Sequence, residues 1–131
     1  NKMDKDIFWL YDLKVEVIGS DQPMVCNHQV GEYFLVEGEN LVFSADQRFP
    51  IYLLASILPL LPAKQRDTDP NDWMTTDAEV ACPDPHCGGR FRITRTGRRI
   101  FSHAETTGLP DQPGVPYWAK EPSTDSNGGE A

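Results

Sequence analysis

The chain is short of positive charge and of cysteine. Twelve lysines and arginines face twenty acidic residues, a formal net charge of −8, which disfavours a generic role on nucleic acid or an anionic membrane. Only three cysteines are present, an odd set that disulfides within the chain cannot fully pair. No apolar run is long enough to span a bilayer, and no charged-then-apolar signal opens the chain. These absences point to a reducing cytoplasm, where a cysteine cluster binds metal more readily than it forms bridges. A glycine-rich phosphate loop, a nucleophile elbow and a C-x-x-C dithiol are all missing. His103 and Glu105 form no convincing acid–base pair, so no catalytic residue is assigned. There is no internal repeat.

What is present fits one domain with a modest core, since 131 residues are too few for two. Eleven prolines and ten glycines require many turns and short elements. Tyr11 to Ile18 alternates, with Tyr11, Leu13, Val15 and Val17 on one face, and reads as a half-buried strand. Gly31 to Glu37 and Leu41 to Phe43 read as a hairpin over the Gly38-Glu39-Asn40 turn. Ser44 to Gln47 has capping-box spacing, and Pro50 suits a first helical position. Ile51 to Leu58 is apolar all round and predicts one short buried helix, limited by Pro59 and Pro62. Residues 63–72 read as a solvated acidic loop, because the glycine and closing glutamate of a calcium loop are missing. Glu79 to Ala81 is a strand, and Arg90 to Arg95 with Arg98 to His103 predict a second hairpin turning at Thr96-Gly97.

The chemistry centres on Cys82-Pro83-Asp84-Pro85-His86-Cys87-Gly88-Gly89. This stretch resembles a rubredoxin-type zinc knuckle with two extra residues between the cysteines. Two thiolates that share an ion need a turn whose backbone N–H groups face the sulfurs, and C-x₄-C lies within the range of structural zinc sites. Gly88 and Gly89 permit positive φ and close backbone approach. A tetrahedral site needs more donors, and Cys26 with His28 offers a thiolate and an imidazole one residue apart. The expected zinc ligands are Cys26, His28, Cys82 and Cys87, with His86 competing for the fourth place. If only the three cysteines bind, a position stays open and water activation becomes conceivable.

Two features suggest a partner. Five of the twelve basic residues lie between Arg90 and Arg99, explained either by a solvated sheet face or by contact with an anion or acidic protein through Arg90 and Arg92. From Thr106 the composition turns proline-punctuated and then low in complexity, so the domain is drawn as 1–105 with an extended docking tail at 106–131. Tyr117 and Trp118 are its candidate anchors in a partner's groove.

Two resemblances extend this reading. The Tyr11–Val17 strand, the Cys26…His28…Val30-Gly31-Glu32-Tyr33-Phe34 segment, the Leu53–Pro62 run and Val80-Ala81-Cys82-Pro83-Asp84-Pro85 resemble a small uncharacterised bacterial and archaeal family over residues 11–95. That family spaces its histidine as Cys-x-x-Gly-His and generally lacks His86, Cys87 and the glycines that follow. By its size, knuckle and tail the chain is also similar to the small zinc-carrying subunit of acetone and acetophenone carboxylases. That likeness implies a non-catalytic role beside larger subunits that perform ATP-dependent carboxylation.

The sequence therefore predicts an α+β, β-rich antiparallel domain with a zinc-knuckle hairpin, one buried helix and an extended tail. Its expected role is a zinc-binding structural subunit of a cytoplasmic hetero-oligomeric enzyme, with no nucleic acid or membrane partner. A metalloenzyme with an open zinc position, and a zinc-ribbon module that binds nucleic acid or protein, are the alternatives.

Overall fold

The structure is a computed structural model that describes residues 6–76 and 79–109. The chain divides into two units, Phe8–Phe101 and a second made of Asn1–Ile7 with Ser102–Ala131. Tyr117 and Trp118 lie outside the described residues.

The larger unit is built on a five-stranded antiparallel sheet. Its strands are β1 (Ile7–Ile18), β2 (Tyr33–Glu37), β3 (Asn40–Val42), β4 (Glu79–Ala81) and β5 (Arg90–Ser102), in the order β3-β2-β1-β5-β4. With a few short helices added, this is the expected mixed α+β fold of β-rich character. The period-two pattern of β1 is realised, since Leu13, Val15 and Val17 are all fully buried. Opposite them, Leu13 pairs with Val36 and Val15 with Phe34 across the β1–β2 ladder. The β2–β3 hairpin closes with Glu37 opposite Asn40, and Gly38 takes the left-handed φ of 61° that this turn requires.

Several expectations are corrected. No turn forms at Thr96-Gly97, because β5 runs unbroken for 13 residues beside the 12-residue β1. A strand that long needs an equally long neighbour to satisfy its backbone, and this outweighs the turn signal. β1 itself starts at Ile7, ahead of the strand expected from Tyr11. The helix is not buried all round. In α1 (Ile51–Ile57) only Leu53 and Ile57 are covered, while Ile51 and Tyr52 are 71% and 79% exposed. Pro50 is its extended N-cap rather than its first residue. The chain then continues through a 3₁₀ turn (Leu58–Leu60) into α2 (Leu61–Lys64), each admitting a proline in its first turn. After α3 (Trp73–Thr76) comes β4. Ser44 to Gln47 is a turn with Asp46 at φ 67°, not a helix start.

Leu53, Ile57 and Leu61 pack on Leu13, Val15, Val17, Phe34, Val36, Phe91 and Ile93 to form the core. Phe49 bridges Phe34 and Phe91 at centroid distances of 5.0 and 6.1 Å. Each fully buried side chain of this size contributes about 1.5–3 kcal/mol of hydrophobic stabilisation.

In the smaller unit, Ser102 caps α4 (His103–Thr107) by accepting the Glu105 N–H at 3.2 Å. Asp6 supports that cap, accepting from the Ser102 hydroxyl and from the Ala104 N–H at 3.1 Å. Chiefly through the Ser102 bond, the Asp6 carboxyl is held below its ordinary value of 3.8.

Truncating Phe91 to Ala should lower unfolding stability by about 3–5 kcal/mol, measured by denaturant titration. Trp73→Ala, at a site 66% exposed, should stay within about 0.5 kcal/mol. A depressed carboxyl stabilises above its unfolded pKa and stops doing so as pH falls through its folded value. Amide chemical shifts of Ala104 should therefore titrate below pH 3.8, and Asp6→Asn should remove that titration.

Candidate functional site

The site begins where the β4–β5 turn folds onto the segment that follows β1. Ala81 pairs with Arg90, Cys82 N–H donates to Gly89 O at 3.1 Å, and Cys87 N–H donates to Asp84 O at 3.0 Å. The turn is thus a closed loop with both cysteines at its base. Gly88 N–H donates to Pro23 O at 2.9 Å, and the Ser20 hydroxyl donates to Gly88 O at 2.6 Å. This two-sided grip carries Cys26 to the turn, with its sulfur 3.5 Å from that of Cys87 across 61 residues of sequence.

The glycines act through space and not through unusual dihedrals. Positive φ among the described glycines is confined to Gly31, Gly38 and Gly108. A Cβ on Gly88 would overlap the Gln22 carbonyl outright, whereas one on Gly89 would meet Cys87 Sγ, Met24 Sδ and Cys26 Sγ at ordinary distances of 3.4, 3.5 and 3.7 Å.

Each sulfur receives the N–H of the residue two positions on: His28 for Cys26, Asp84 for Cys82 and Gly89 for Cys87. Cys87 also accepts from Val25 N–H at 3.3 Å and from Cys26 N–H. Burial pushes the Cys87 thiol up, but the three N–H groups and the Cys26 thiol outweigh it and pull the pKa down to about 6. Burial raises Cys26 and Cys82 as well, and there it prevails, with neighbouring Cys87 adding to the rise in both. Cys87, surrounded by N–H and S–H donors, is thus the most readily ionised of the three, while Cys26 and Cys82 hold their protons more firmly than a free thiol.

A cavity of about 380 Å³ opens beside them, lined by Val25, Cys26, His28, Pro50, Tyr52, Leu53, Cys82, Pro83 and Asp84. Cys87 lies behind it, 3% exposed. The histidines separate clearly. His28 is buried against Phe49 and Phe91, at centroid distances of 4.9 and 5.7 Å, with Nδ1 3.4 Å from Glu32 Oε1. His86 is exposed, and its backbone N–H is taken by Asp84 Oδ1 at 2.9 Å. Glu32, four residues after His28, was not expected at the site, although that spacing was the available signal. Among the described residues, no three His, Cys, Asp or Glu side chains are grouped in metal-holding geometry as they stand.

The arginines of β5 are engaged within the chain. Arg92 pairs with Glu79 at 3.0 Å, and Arg90 donates to Gly89 O at 2.8 Å. Arg95 donates to Lys64 O and Arg66 O, both at 2.9 Å. Arg98 meets Asp67 at 3.8 Å and lies over Trp9, and Arg99 bridges Asp12 at 2.7 Å and Glu37 at 3.2 Å.

Fold and site together define a small antiparallel-sheet domain with a three-thiol cluster at the base of a hairpin turn. Comparison of the chain with protein-family models, with curated proteins and with solved structures finds no match. No helix among the described residues is long and apolar enough to cross a membrane.

Gly88→Ala should destabilise the fold by about 3 kcal/mol or more through overpacking, while Gly89→Ala should cost under about 1 kcal/mol. Thermal melts of the two variants check this contrast.

Proposed function

We propose that this chain is a non-catalytic domain whose fold is closed by a zinc ion on Cys26, Cys82 and Cys87. In this reading it serves as a small structural subunit beside larger catalytic chains in the cytoplasm. The observation that carries it is the convergence of three sulfurs from remote segments, each bonded by the N–H two residues on. That pattern suits a metal-bound thiolate, because N–H donors disperse sulfur charge that the ion does not neutralise. The Cys26–Cys87 spacing of 3.5 Å is also close to the edge of about 3.8 Å expected for a tetrahedral site with zinc–sulfur bonds of about 2.3 Å. This pair would need only a small outward adjustment to reach that edge.

Against catalysis, His28, the imidazole of the histidine–carboxylate pair beside the thiols, is buried against Phe49 and Phe91, which suits a structural role. The acetone and acetophenone carboxylase group remains the specific complex proposed, on the likeness of size, knuckle and tail alone. One observation favours a second reading: Cys26 and Cys82 line an open cavity, which suits a metalloenzyme with a solvent-facing coordination position. Exchange-labile bound water on the metal would support that reading over the structural one.

Zinc should bind with a stoichiometry of one and raise the melting temperature strongly, since ligands that converge only in the native state couple binding to folding. Binding at neutral pH should release about two protons, from Cys26 and Cys82, whose thiols are held protonated. Calorimetry in buffers of different ionisation enthalpy measures this. Failure of purified protein to retain or take up zinc, or retention unchanged in Cys87→Ser, would sink the reading. Co-purification from native extract tests the subunit role.

A further inference from the structure

The three sulfurs leave one coordination position to assign, and two histidines compete for it. His28 is 6% exposed and lines the same cavity as Cys26 and Cys82. Its Nε2 is fully covered and has no hydrogen-bond partner among the described residues, a condition that buried polar atoms seldom occupy without a reason. A neutral imidazole carries one N–H and one lone pair. An N–H on Nδ1 directed at the Glu32 carboxylate, 3.4 Å away, would leave the lone pair on Nε2. This is the tautomer a metal requires.

Glu32 is itself held in place. Its Oε1 accepts the Gln29 N–H at 2.6 Å, and its own N–H donates to Gln29 O at 3.1 Å. Its carbonyl accepts from Val17 N–H at 2.8 Å, while Gly31 N–H donates to Val17 O at 2.9 Å. The turn is thereby pinned to the end of β1, and the Phe49 and Phe91 rings confine the imidazole from the other side. His86 is exposed, is absent from the cavity wall, and among the described residues has no carboxylate paired with its ring.

We infer that His28, through Nε2, is the fourth donor to the ion held by Cys26, Cys82 and Cys87, and that Glu32 is its positioning residue. This rests on the thiol-site reading above. Three thiolates and one neutral imidazole would supply the four donors of a structural zinc site.

The test uses the full chain loaded with cobalt(II), whose thiolate charge-transfer and ligand-field bands report sulfur ligation and coordination number, and with zinc for nitrogen NMR of the histidine rings. The expected result is a four-coordinate cobalt spectrum, with His28 protonated at Nδ1 and metal-shifted at Nε2. Glu32→Ala should weaken metal affinity by about 10–100-fold and mix the His28 tautomers, Glu32→Gln should recover part of the loss, and His86→Ala should change nothing. The ring NMR of the unsubstituted chain needs no variant to fold. Cobalt bound through sulfur with His28 Nε2 unshifted, or with His86→Ala altering the spectrum, overturns this inference and spares the thiol site. A chain that shows no cobalt–thiolate band overturns both.

Discussion

Everything at the thiol site depends on one close approach of backbone to backbone. Gly88 lies so near the Gln22 carbonyl that no side chain fits between them, and its N–H and carbonyl are both used, by Pro23 and Ser20. The contact lets Val25 N–H reach Cys87 Sγ and brings the Cys26 sulfur alongside. Without it the segment after β1 and the β4–β5 turn would each present cysteines to solvent, and neither could gather a donor set. The same contact buries Cys87, which gives the N–H donors around it their weight in the lower local dielectric.

The sheet supplies the rigid frame. β1 and β5 lie side by side at its centre, so the loop leaving β1 and the turn entering β5 emerge where they can meet. Aromatic packing then ties the site to the core, because Phe91 and Phe49 contact both His28 and the Phe34 cluster. The arginine-rich strand, suggestive of an anionic partner in sequence, is occupied with carboxylates and carbonyls of its own chain. Concentrated charge here reflects where the acidic residues of β1, β2 and the 63–72 loop come to lie, a pairing that composition cannot reveal.

Much of the frame was legible because its signals are local. Alternation along Leu13, Val15 and Val17, the Gly38 turn and the Glu79–Ala81 strand are all carried by short stretches of residues. The misread turn at Thr96-Gly97 shows the limit. Two residues with good turn chemistry were absorbed into a 13-residue strand that lies beside the 12-residue β1. The helix at Ile51 failed similarly, since uniform hydrophobicity carries no information about which face has a partner.

The chain's own order of residues determined which atoms could serve: three sulfurs, two imidazoles, a turn able to direct N–H groups at thiols, and alternating strands to carry them. Only the folded molecule decided which of these meet. Cys26 joins Cys87, His28 is enclosed while His86 is left outside, and Glu32 comes to rest against an imidazole. The physical reason is range. Dihedral preference and periodicity act over a few residues, whereas the distance between two sulfurs 61 residues apart is set by the packing of every element between them.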